Sequence, residues 1–139
     1  VCNRSDAFGA LVSWWSLIPA QLLNEVLVSE KPGGVSHACE METSALLYLR
    51  PDLVDMSKAE RDLGFQSSKY MWRDLRMTSP VVFNEQWSRF SRTGVQGDPT
   101  LATTEKGRIL VDAVVEHLAG LLRDLKAREF RPRVDHHER

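Results

Sequence analysis

Along this chain the spacing of hydrophobic and polar positions changes several times, and each change marks an element. Ala7 to Trp15, "AFGALVSWW", is a short uncharged run rich in β-forming residues. It has the pattern of a strand covered on both faces, found mostly in α/β proteins. Pro19 stands where a helix can begin, its missing N–H harmless in a first turn, and "AQLLNEVL" continues at helical spacing. "EKPGG", residues 30–34, is loop chemistry. Between Ala38 and Leu49 the apolar residues Met41, Ala45, Leu46, Tyr48 and Leu49 recur about every three or four positions. That spacing predicts an amphipathic helix, ended by Pro51 because a residue before proline is pushed out of the helical region.

From Asp52 to about Gln96 no period is sustained. Long loops are expected there, with one edge strand at "PVVF", and irregular segments of that length often act as lids or contact surfaces. "GVQGDPTLATTEKG" is a turn-rich lead into a last helix, with Thr103 or Thr104 as its cap and Glu105 in its first turn. One face of that helix carries Leu110, Val114, His117, Leu118, Leu121 and Leu125, to about Lys126. The domain is expected to span residues 1–126, and the charged, proline-broken tail 127–139 to fray. The chain shows no internal repeat.

Composition narrows the function classes. A chain of 139 residues that is 42% hydrophobic and 27% charged fits one globular domain with a core of its own. Eighteen basic against 19 acidic residues leave a net charge of -1, so nothing draws the whole protein to nucleic acid or anionic lipid. The uncharged run from Ala7 to Asn24 has the length of a membrane span, but Ser13, Ser16, Pro19, Gln21 and Asn24 interrupt it. No basic segment of the signal-peptide kind precedes it. Two cysteines, Cys2 and Cys39, are too few for a disulfide framework and fit a reducing compartment, so the cytoplasm is expected. The first residue is Val1 and a strand-like run begins almost at once, which raises the expectation of a longer parent protein.

The densest chemistry lies in "SHACEMETS", residues 36–44, where His37, Cys39, Glu40 and Glu42 stand close together. A metal site, an acid/base site and the solvated first turn of a helix are all open. If Ser36 or His37 caps the helix, His37 stands at its mouth, where the partial positive charge lowers an imidazole pKa and attracts anions or carbonyl oxygens. Glu40 lies three residues from His37 and Glu42 three from Cys39, so each pair can share a face. Those faces differ, and the four side chains cannot converge on one ion. A catalytic zinc usually needs three protein ligands, and this stretch offers two on one face. His117, on an apolar stripe, reads as a core histidine, while His136 and His137 read as solvated.

"HACEMETSALLYLRPDLVD" resembles the creatininase family of amidohydrolases, whose members carry a His-Ala/Gly-Gly-x-x-Glu-Thr-Ser segment and then a helix ending in Pro-Asp-Leu-Val. The matching residues are His37, Ala38, Glu42, Thr43 and Ser44, then Pro51, Asp52, Leu53 and Val54. "VSWWSL" before this segment and "GVQGDPTLATTEKG" after it support the likeness in the right order. The resemblance implies an α/β fold of three α/β/α layers around a mostly parallel sheet, of which this chain is the C-terminal part. It implies a general acid/base role for His37, a substrate contact for Trp15, and for Glu42 a part in orienting its neighbours. It also implies two divalent metal ions, zinc or manganese, and a small-molecule amide as substrate.

The departures are specific. Cys39 stands where many members have glycine, Ser36 stands where creatininase has glutamate, and no tryptophan lies near Gly33 to match creatininase's second substrate-stacking residue. The Glu-x-His-Gly-x-His segment with its following Asp, and the Asn-Gly-His-Gly-Gly-Asn-like turn that carry the family's metal ligands, do not occur in these 139 residues. No metal ligand is therefore expected within the chain. Two functions of different class remain. One is the catalytic-histidine portion of an amidohydrolase that cleaves the C–N bond of a cyclic amide or formamide, with metal ligands from a missing segment or a partner chain. The other is a non-catalytic interaction or assembly module derived from the family, with its contact surface in residues 52–96. Either predicts a homo-oligomer or a complementary chain, because part of an α/β fold leaves a bare sheet edge and apolar helix faces.

Overall fold

The computed structural model describes residues 7–132 and Val134. Its regular elements are α1 (Ala20–Val26), β1 (Val35–His37), α2 (Glu40–Leu49), β2 (Gln96–Gly97) and α3 (Thr104–Ala127), joined by irregular segments and short 3-10 turns. Cys2, His136 and His137 lie outside the described residues.

The two long helices form the frame. Thr103 caps α3 by accepting from the Lys106 backbone N–H at 3.2 Å, and Glu105 sits in the first turn as the dipole favours. Helix α2 ends at Leu49 just before Pro51, as the proline rule requires. The helices cross closely because Gly107 has no side chain: a Cβ there would lie 1.9 Å from the Ser44 carbonyl oxygen. Ser44, fully buried, accepts from the Thr103 N–H through its Oγ at 3.1 Å, so one small residue of α2 seats the start of α3. Leu110 enters the core beneath them with Met41, Val35, Cys39, Leu27, Leu23 and Ile18. Each such side chain withdrawn from water contributes about 1.5–3 kcal/mol.

Strands β1 and β2 pair antiparallel, Val35 opposite Gly97 and His37 opposite Gln96, with a break in register between them. On its other side β1 is held by the Leu75 N–H, which donates to the Val35 carbonyl at 2.7 Å. Gly97, with φ +145°, is required here, since a Cβ would fall 2.6 Å from that of Cys39. The loop after α1 is clamped twice. Glu40 accepts from the Val28 and Ser29 backbone N–H groups, while the buried Asp74–Arg76 ion pair reaches the Gly33 N–H and the Ser29 and Glu30 carbonyls.

Several expectations change. Residues 7–13 form no strand, and Trp14–Leu17 is a 3-10 turn. A strand of such apolar character needs neighbours on its edges and layers on its faces, and the described residues leave Phe8, Leu11 and Val12 exposed instead. The one sheet among the described residues is the two-stranded β1–β2 pair, the small sheet of part of an α/β fold. "PVVF" is irregular rather than an edge strand: the Val81 N–H is used by the Tyr70 carbonyl and Val82 faces solvent. His117 is exposed, not a core residue, because α3 buries only its first turns against α2. The irregular path through residues 52–96, the loop at 30–34 and the turns in the lead into α3 are as the sequence predicts.

Candidate functional site

The segment 36–44 does not form a helix mouth beginning at His37. Pairing with β2 keeps Val35–His37 extended, Ala38 turns the chain in the left-handed region at φ +48°, and Cys39 is the N-cap of α2. His37 therefore projects from the end of a strand, exposed, with no hydrogen bond to its imidazole among the described residues. Its ring packs edgewise on the Trp87 indole, centroids 5.1 Å apart and planes at 79°.

The four chemical side chains separate after that turn. Cys39 is buried, and its thiol lies 3.9 Å from a Glu42 carboxylate oxygen, the shared face that the spacing predicts. Burial, with the Glu42 charge adding to it, pushes the thiol up to about 11 against the opposing backbone hydrogen bonds, so Cys39 is a neutral thiol near pH 7 and a poor metal ligand there. Glu40 turns inward, away from His37. Burial alone would raise its pKa, but hydrogen bonds from Lys106, Ser29 and Val28 outweigh that and hold the carboxyl below its ordinary range. The Lys106 ammonium also donates to the Leu101 carbonyl, so this partly buried ion pair ties the start of α2 to the start of α3.

Glu42 is half-buried at the edge of an apolar groove of about 430 Å³ between α2 and α3, lined by Trp14, Ala45, Leu46, Leu49, Val111 and Val114. Trp15 packs edgewise on Trp14, ring centroids 6.0 Å apart, against the core. His37, Glu42 and Trp15 thus sit in three different surroundings. Among the described residues no three His, Cys, Asp or Glu side chains gather as a metal-holding group. With Glu40 committed to Lys106 and the 28–29 backbone, and Cys39 protonated and enclosed, this donor set does not fit a divalent ion.

Sequence reasoning missed two parts of this region. Nothing in the local pattern separates Glu40 from Glu42; the Lys106 partner, 66 residues away, and the Val28 and Ser29 backbone do so. Trp87 and Arg73 stood in a segment without period, and their role comes from tertiary contact. The Arg73 guanidinium carbon lies 4.8, 5.3 and 4.7 Å from the ring centres of Phe65, Trp87 and Phe90.

An α/β chain with a histidine at a strand end, followed by a tight turn and a helix, is the class of protein that these elements define. Among solved structures, a Bacteroides fragilis protein assigned as a creatinine amidohydrolase superposes with a TM-score of 0.73 at 23% identity, over 94% of this chain and 48% of its own. A creatinine amidohydrolase (creatininase) superposes with a TM-score of 0.68 at 20% identity, over 92% of this chain and 46% of its own. At these identities the likeness is one of fold. The mycofactocin precursor peptide peptidase of Mycobacterium tuberculosis is 37% identical over 90 residues, which cover 61% of this chain and 31% of that protein. The creatinine amidohydrolase (creatininase) family matches residues 3–122, and the chain belongs to that family. It spans about half the length of the solved structures and about a third of the curated relatives that it matches. The structural neighbours include creatininases of zinc–zinc and manganese types. No helix among the described residues is long and apolar enough to cross a membrane.

Proposed function

We propose that this chain is the acid/base portion of a creatininase-family amidohydrolase that cleaves an amide C–N bond. The observation that carries the reading is the family match over residues 3–122, which contains the whole His37–Ser44 segment, with His37 left exposed and its imidazole without a hydrogen bond among the described residues. In this role His37 holds a proton and delivers it to the departing nitrogen, where a positioned acid contributes about 10²–10⁴-fold. Trp15 contacts the substrate and Glu42 orients its neighbours. The family's two divalent ions, zinc or manganese, would be held by residues of another segment or a partner chain, since the donors described here do not fit them. The substrate is the C–N bond of a cyclic amide or formamide. The 37% identical relative, named as a peptidase, extends that class to a peptide amide. The setting is a cytoplasmic oligomer or a complex with a complementary chain.

His37→Ala in the complete assembly tests the role of the histidine. Metal content should stay unchanged while turnover falls at least about 100-fold; unaffected turnover would refute it. A second reading, a non-catalytic assembly module, is favoured by the exposed apolar groove between α2 and α3 and by the donor set that does not fit a metal. Native mass spectrometry of the protein from its source separates the two. A species carrying two divalent ions supports the amidohydrolase, and a metal-free species built only from 139-residue chains supports the module.

A further inference from the structure

We infer that Trp87 is the positioning residue of His37: its indole fixes the orientation of an imidazole that no hydrogen bond among the described residues fixes, and it does so from a segment with no sequence pattern of its own. The inference rests on the reading of His37 as the acid/base group. An exposed histidine with two free ring nitrogens has little to choose one rotamer over another unless a neighbour supplies contact. Here the neighbour is an indole in edge contact at 5.1 Å. An aromatic pair in that arrangement is attractive beyond its area burial, enough to bias a rotamer by roughly several-fold.

Trp87 is itself held from two sides. Its Nε1–H donates to the Gly94 carbonyl at 3.0 Å, two residues before Gln96, which pairs with His37. The indole therefore hangs from the bend that leads into β2, the strand paired with His37. Its ring also packs at 4.8 Å on Phe90, and Arg73 stands over it at 5.3 Å. Arg73 is anchored in turn: its Nη2 donates to the Phe83 carbonyl at 3.0 Å. Two residues on, the Leu75 N–H bonds Val35 of β1. His37, Trp87 and Arg73 thus form a closed mechanical loop through both neighbours of β1. A general acid depends on such fixing, since misplacement by about 1 Å can cost 10²-fold in rate.

The test is nuclear magnetic resonance of the full 139-residue chain, with the His37 ring signals assigned through His37→Gln. In the wild-type protein the His37 ring protons should show nuclear Overhauser contacts to the Trp87 indole and ring-current displacement. Trp87→Leu, which keeps bulk but removes the ring, should abolish the displacement and raise the mobility of the imidazole. Trp87→Phe should retain part of the displacement, and the His117 signals should not move. Absence of the wild-type Overhauser contacts overturns the inference even if Trp87→Leu fails to fold, as does a His37 signal unchanged in a folded Trp87→Leu. In the complete assembly the same variant should lower kcat about 10-fold with KM within twofold; a change confined to KM counts against positioning. If the contact is present but His37→Ala leaves turnover intact, the proposed function fails and the contact stands. If His37→Ala abolishes turnover but the contact is absent, only this inference fails.

Discussion

Glu40 is the residue on which two helices and a loop converge. Its enclosed carboxylate takes hydrogen bonds from two backbone N–H groups and from the partly exposed Lys106 ammonium. Removing one partner of such a pair leaves a buried charge uncompensated, so Lys106→Met should destabilise the chain by about 3–5 kcal/mol in urea denaturation. The same bonds set a pH dependence. A carboxyl held below its ordinary 4.5 contributes stability that is fully present above that value and is lost as pH falls through the lower folded-state pKa. The thermal midpoint should therefore drop as pH is lowered below about 4.5, and Glu40→Gln should flatten that dependence while lowering stability at pH 7. An equal slope in wild type and Glu40→Gln would show that other carboxylates carry it.

For the helix pair, the decisive position is Gly107. Alanine is worth about 1 kcal/mol more than glycine in a helix interior, so propensity alone predicts that Gly107→Ala stabilises. The Cβ it adds would meet backbone, the Ser44 carbonyl at 1.9 Å, which cannot rotate away. Overpacking of that kind costs about 1–3 kcal/mol, and forcing α2 from α3 also pulls Ser44 from the Thr103 N–H. The expected net effect is destabilisation, read as a lower urea midpoint; a raised midpoint would mean that the helices part at little cost. The start of α2 shows the same dependence on neighbours. Its sequence allowed a cap at Ser36 or His37, but β1–β2 pairing keeps those residues extended and moves the cap to Cys39.

Across the whole molecule the balance of surfaces matters most. Leu46, Leu49, Leu53, Val115 and Leu122 are exposed on or beside the two long helices, and Leu11 is fully so. In the proposed assembly these side chains supply the contact surface. This chain overlays about half of each solved relative. If the metal ligands are supplied from outside the chain, the isolated 139-residue protein, loaded with zinc or manganese and then dialysed, should retain less than stoichiometric metal by elemental analysis. Two ions retained per chain would place the ligands within it and overturn that part of the proposal.

The sequence by itself determined what local rules govern. Thr103 or Thr104, with Glu105, announced the start of α3, Pro51 the end of α2, the missing period of residues 52–96 their irregular path, and the order of short motifs the family. Each of these depends on residues a few positions apart, through caps, proline sterics and helical spacing. Tertiary structure alone decided that Ala7–Trp15 forms no strand here, that His117 faces solvent, that Glu40 rather than Glu42 is the buried carboxylate, and that Trp87 meets His37. In each case the deciding partner lies far along the chain or is absent from the described residues. A strand without edges, a carboxylate without its ammonium and an imidazole without its indole look the same in sequence as those that have them.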